Sequence, residues 1–181
     1  EAAKVGVHQA QLEVALLLLK GVVTEDGHGR VVELSSEKRA GDKEGEILRL
    51  TRAHFWLQEA SSGELPIAWF YLGRMAEQGV GRAPDLGEAE RCLVRAAKLG
   101  YAAAAHALGL LLYSSKSQRL DEAVSWLKEA AVAGHLLGMT DFGHIQLERG
   151  AREEGLAMLQ QAARAGSPQA THTLATLVFS G

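Results

Sequence analysis

One cysteine, three prolines and an aromatic content of 6% leave little room for several classes of protein. With Cys92 alone, no intramolecular disulfide forms, and the small disulfide-stapled scaffolds are excluded. A lone thiol fits a reducing compartment and does not exclude export, so the bacterial periplasm and the cytoplasm both remain open. The longest apolar run, Val14 to Leu19, is far too short to span a bilayer, and no direct membrane insertion is expected. The opening Glu1-Ala2-Ala3-Lys4 lacks the basic and apolar regions of a signal peptide. Lys and Arg are scattered, with a net charge of −3, so no nucleic-acid partner is expected. What is abundant is Ala, Leu, Glu and Arg, all good helix formers.

Self-similarity organises the chain. Four glycines, Gly63, Gly100, Gly134 and Gly166, close apolar-periodic segments and lie 37, 34 and 32 residues apart. Three of them end similar phrases: Ala96-Ala97-Lys98-Leu99-Gly100, Ala130-Ala131-Val132-Ala133-Gly134 and Ala162-Ala163-Arg164-Ala165-Gly166. After each closing glycine comes a second signature, Leu72-Gly73, Leu108-Gly109, Phe142-Gly143 and Leu174-Ala175, with an apolar residue two positions on. Val14-Ala15 and Leu17 extend the frame to the start, where Ala2-Ala3-Lys4-Val5-Gly6 nearly copies the phrase ending at Gly100.

The expected organisation is one repeat array over 1–181. Residues 1–6 end a preceding repeat, and 7–63 form repeat one with an insertion at about 22–45. Repeats two, three and four cover 64–100, 101–134 and 135–166, and 167–181 is a half repeat. The chain reads as a piece of a longer solenoid, with a degenerate N-terminal cap as the alternative for its start. Each unit is two antiparallel helices. Helix A is expected at roughly 7–20, 65–78, 101–114, 135–149 and 167–180, and helix B at roughly 46–62, 85–99, 119–133 and 151–165. Ser167-Pro168 offers a capping hydroxyl before a first-turn proline, Asp85 with Glu88 resembles a capping box, and the closing glycines suit left-handed positions.

Small residues at Ala10, Ala68, Ala104, Gly138 and Ala170 in helix A, and at Ala53, Ala89, Ala123 and Gly155 in helix B, let helices approach closely. One larger slot recurs in helix B at Trp56, Cys92, Trp126 and Met158. It reads as the core knob, and on that reading Trp126→Ala costs roughly 3–5 kcal/mol.

Repeat two, with Ala68-Trp69-Phe70-Tyr71-Leu72-Gly73-Arg74-Met75, Gly79-Val80-Gly81, Asp85, Glu88-Ala89 and Ala96-Ala97-Lys98-Leu99-Gly100, resembles the Sel-one-like repeat, a relative of the tetratricopeptide repeats. Repeats three and four keep the helix signatures, and repeat one keeps both helices around its insertion. The resemblance implies an all-α fold, a right-handed α-solenoid of antiparallel helix pairs with a concave binding surface. It also implies a scaffold or adaptor for a protein or peptide partner, often in membrane or secretion assemblies or in signalling, with no catalytic residues and no cofactor. The alternative is a structural repeat segment of a larger enzyme, receptor or secretion or envelope complex. By analogy with tetratricopeptide geometry, the groove-facing positions are Phe70, Arg74, Glu77, His106, Leu110, Tyr113, His144, Leu147 and His172, a mixture suited to a peptide or helix. Each has packing between repeats as its alternative. The end helix, with Leu174, Leu177 and Phe179, opens the way to self-association through exposed solenoid ends.

The insertion is rich in charge, including Glu25, Asp26, Arg30, Glu33, Glu37, Lys38, Arg39 and Asp42. Val22-Val23 and Val31-Val32 flank a Gly-containing turn that suits a small hairpin. It reads as a solvated surface loop or as a partner-specific excrescence. Three apparent motifs carry less. Ser125-x-x-Lys128 lacks the companion motifs of penicillin-recognising enzymes. Gly79-Val80-Gly81 lacks the Gly-Lys-Ser/Thr ending of a phosphate loop. His106, His144 and His172 have no zinc-site spacing, and convergence on a metal is the minor alternative to a polar groove wall.

Overall fold

The computed structural model describes residues 2–25, 30–33, 43–114 and 119–180. Helical propensity and apolar periodicity produce nine helices among the described residues. They are α1 (Ala2–Leu19), α2 (Lys43–Ser61), α3 (Pro66–Gln78), α4 (Leu86–Lys98), α5 (Ala102–Ser114), α6 (Leu120–Val132), α7 (Leu136–Glu148), α8 (Arg152–Arg164) and α9 (Pro168–Ser180). Each helix A packs on its helix B, α1 on α2, α3 on α4, α5 on α6 and α7 on α8, while α9 packs on α8. This is an all-α solenoid built of helix pairs. The chain divides into two compact units, 1–99 and 100–181.

The helix ends show why the repeat punctuation works. Gly100, Gly134 and Gly166 all have positive φ, between 82° and 94°. At Gly134 and Gly166 the next amide reaches back over the last turn, His135 N–H to the Ala130 carbonyl and Ser167 N–H to that of Ala162, at 3.0 and 2.9 Å. These bonds satisfy carbonyls that a helix end leaves free. At the first closing glycine the expectation fails: Gly63 is not left-handed, and Glu64 takes positive φ instead, at 56°. Successive short-range bonds from Ser62, Gly63 and Glu64 tighten the end of α2 by one more residue and shift the reversal onto Glu64. Asp85 accepts from the Glu88 N–H at 2.9 Å, as a helix cap should. The reciprocal half of the box is not made. The Asp85 N–H is taken by the Ala76 carbonyl, and the Glu88 carboxylate pairs with Arg82 at 2.8 Å. Ser167 Oγ accepts from the Ala170 N–H at the start of α9.

Packing corrects the expected knob. Cys92 is buried as expected, but Trp56, Trp126 and Met158 are only partly buried. The residue after each of the four is the consistent core position: Leu57, Leu93, Leu127 and Leu159 are all fully buried. Three of these leucines fill space left open by the helix A glycines. A Cβ on Gly73, Gly109 or Gly143 would lie 2.9, 2.6 or 2.7 Å from Cγ of Leu93, Leu127 or Leu159. One residue is about 100° around a helix, so where the apolar face is narrow only one of two adjacent large residues points to its centre. Of the small slots, Ala68, Ala104 and Ala170 are fully buried, as are Ala53, Ala89 and Ala123. Ala10 is exposed, because among the described residues no helix precedes α1 to cover it. α1 itself starts earlier than expected and runs through Gly6, whose missing side chain faces open space.

Between α1 and α2, β1 (Val23–Glu25) and β2 (Val31–Glu33) pair antiparallel, Thr24 opposite Val32. Val23 is buried with Leu18 and Ala53, which anchors the hairpin to α1 and α2. The outer strand leaves Val31 and Val32 exposed. Residues 26–29, where a turn is expected, the charged run 34–42 and residues 115–118 lie outside the described residues.

Candidate functional site

Side chains three and four residues apart share a helix face, and the expected groove positions fall into such sets. In the first unit, Phe70, Arg74 and Glu77 of α3 are half-buried. Arg74 donates to Glu77, and the Phe70 ring lies edge-on to Tyr71 at 5.4 Å.

In the second unit the set is larger, because three helices A lie side by side. His106, Leu110 and Tyr113 share a face of α5. His106 Nε2 is 2.7 Å from Asp141 Oδ2 on α7. One helix turn beyond Leu110, the Tyr113 hydroxyl donates to Glu148 Oε2 at 3.0 Å, a bond that raises the phenol's pKa. His144 of α7 is in turn 2.7 Å from Thr173 Oγ1 on α9. These three contacts are rungs tying successive helices A together. Between them Leu110 and Tyr113 remain 39% and 37% exposed. Sequence reasoning missed the partners Asp141, Glu148 and Thr173. The signal was present: Asp141 and Glu148 each lie 35 residues after their partners, one repeat further on.

Two expected groove residues have divided roles. Leu147 is half-buried in the second unit's core, because Gly155 of α8 leaves room for it: a Cβ there would meet Leu147 Cγ at 2.9 Å. His106 is 9% exposed and belongs as much to packing as to surface. His172 is exposed. The three histidines are not brought together as metal ligands. Among the described residues no cluster of three or more His, Cys, Asp or Glu could hold a metal ion.

The remaining candidate chemistry resolves into structure. Ser125 and Lys128 are exposed on α6, and Lys128 pairs with Glu154 at 2.9 Å. They line a shallow depression with Asp121, Gln146 and Arg149, where Arg149 is held by Asp121 at 2.7 Å. Cys92 is buried, and burial pushes its thiol up to about 11, so it is protonated and unreactive at neutral pH. Gly79 and Gly81 both have positive φ and make the turn between α3 and α4.

Two other histidines make stability depend on pH. His135 Nδ1 accepts from the Gly138 N–H at 3.1 Å and so caps α7; its ring centroid is 4.8 Å from that of His106. Burial, followed by the charge of His106, lowers its pKa. In the first unit, burial and then Arg82 lower that of His54, whose Nε2 is buried without a partner. Both imidazoles hold a proton less well folded than unfolded, where the ordinary value is 6.5. Their contribution is therefore complete above about pH 6.5 and is lost as pH falls below it. Urea titrations should show steady stability from about pH 8 to 7 and a decline towards pH 5. His135→Asn keeps a capping acceptor without titrating and should flatten part of that decline. A profile flat throughout would refute the assignment.

No family model matches the chain, and no curated protein matches it either. Solved structures do. A Sel1 repeat protein from Oxalobacter formigenes superposes with a TM-score of 0.67 at 19% identity, over 90% of this chain and 60% of that one. A protective antigen of uropathogenic Escherichia coli strains, described as displaying an SLR fold, superposes with a TM-score of 0.66 at 19% identity, over 76% of this chain and 31% of that one. This chain thus spans less than two thirds of either length. The likeness extends to the repeat architecture of the fold.

Proposed function

From the Sel1-repeat fold as premise, we propose that this chain is a protein-interaction scaffold that holds a partner segment on its helix A face. The observation that carries the reading is the set of rungs joining α5, α7 and α9. They spread three helices into a continuous wall while leaving Leu110 and Tyr113 open to solvent. Exposed apolar and aromatic side chains bordered by hydrogen-bonded polar groups suit capture of a peptide or helix. Phe70, Arg74 and Glu77 offer the corresponding positions in the first unit, and His144, Leu147 and His172 complete the set in the second.

The test is affinity purification with matched baits. Leu110→Ser with Tyr113→Ala, and separately Phe70→Ala with Arg74→Ala, should lower recovery of a specific partner at least about tenfold, the effect of losing one or two well-packed contacts. Circular dichroism should show unchanged helicity. Equal recovery by both variants and the parent would place the binding surface elsewhere.

A further inference from the structure

The helix A wall of the second unit has an unusual charge pattern. α5, α7 and α9 contain no Lys and no Arg; besides one histidine each, their charged side chains are the carboxylates of Asp141 and Glu148. The helices B behind them, α6 and α8, carry charges of both signs. The nearest cation in sequence, Arg149, is drawn away by Asp121 of α6. Glu148 accepts from the neutral Tyr113 hydroxyl, which orients it without cancelling its charge, and Asp141 is oriented by His106 Nε2. Asp141 keeps 35% of its side chain exposed. Glu148 is exposed as well.

Helical spacing places these charges among apolar groups. Leu137, Asp141, His144 and Glu148 follow one another at intervals of four, three and four residues and so share one face of α7. Leu137 is 48% exposed, and Leu110 and Tyr113 of α5 lie alongside through the two rungs. The seven residues from Asp141 to Glu148 span about 10 Å along the helix.

We propose that the occupant of this face is an amphipathic polypeptide segment bearing Lys or Arg, with two cationic side chains about two helical turns apart flanking apolar ones. The inference rests on the scaffold reading above and names the partner's chemistry. Apolar contact with Leu110, Tyr113 and Leu137 supplies affinity. Asp141 and Glu148 select the sign of charge, since a like-charged segment is repelled and a cationic one steered in.

The probe is a fluorescein-labelled 18-residue amphipathic helix of Leu, Ala and Lys, compared with the same peptide carrying Glu for Lys, by fluorescence anisotropy on the full chain. The Lys peptide should bind at least about tenfold more tightly, with the advantage shrinking as salt is raised. Asp141→Asn and Glu148→Gln preserve the acceptors for His106 and Tyr113; together they should remove most of the advantage. Glu129→Gln on α6 should leave it intact. Equal binding of the two peptides, still weakened by Leu110→Ser, overturns the charge rule and leaves the docking face standing. Binding indifferent to Leu110→Ser and to the carboxylate variants, or no binding at all, overturns the proposed occupant and its place on this face.

Discussion

Leu127→Ala should lower the unfolding free energy by about 3–4 kcal/mol in urea titrations followed by circular dichroism. The side chain is fully buried between α6 and α5, with Gly109 directly beneath it. Removing it loses the transfer free energy of the deleted groups and leaves a cavity walled by helix backbone, which collapses poorly. Trp126→Ala, one residue earlier, should cost less despite the larger side chain, because Trp126 keeps part of its surface in water. The order of the two losses is the decisive reading. A greater loss at Trp126 would return the core slot to the position that residue size alone suggests.

Gly109→Ala should be destabilising by about 1–3 kcal/mol, although alanine is the better helix former by about 1 kcal/mol. A Cβ at this position would stand 2.6 Å from Leu127 Cγ and 3.1 Å from the Ala123 carbonyl oxygen. The leucine is enclosed and the carbonyl is backbone, so neither yields cheaply. The same substitution made on top of Leu127→Ala should lose its penalty, because the methyl then enters vacated space. The double-mutant cycle should depart from additivity by at least about 1 kcal/mol, as expected for directly contacting groups. Gly87→Ala is the control. Gly87 is exposed in the first turn of α4, and a Cβ there meets no atom closer than 3.4 Å. It should be neutral or stabilising by a few tenths of a kcal/mol. Additive behaviour at Gly109 and Leu127 would mean that the glycine is tolerated there rather than required.

Much of the repeat frame was legible before the structure, and the reason is local. Where a helix starts and stops depends on capping oxygens and left-handed glycines within a few residues of the boundary, as at Asp85, Ser167, Gly134 and Gly166. The failures were local competitions with more than one solution. Gly63 and Glu64 compete for one reversal, and the tightened end of α2 decided it. Both Trp126 and Leu127 are apolar and recur at the repeat period, so periodicity alone does not choose between them. The choice belongs to the helix opposite, where Gly109 admits a branched leucine in direct contact.

The candidate site was legible in part for the same reason. Leu110 and Tyr113 were recognisable as a shared face of α5, since three-residue spacing is a property of one helix. That Leu147 is half-buried against α8 depends on the absence of a side chain at Gly155. That His106 meets Asp141, and Tyr113 meets Glu148, depends on the offset between successive helices A. The sequence by itself determined the helix pairs, their order and most of their ends, because these follow from short-range backbone hydrogen bonding and the period of apolar residues. Only the tertiary structure decided which of two neighbouring large residues is core, which polar groups are joined across repeats, and which are left facing solvent. Those outcomes depend on the rotation and offset of one packed helix against the next, and no single segment encodes them.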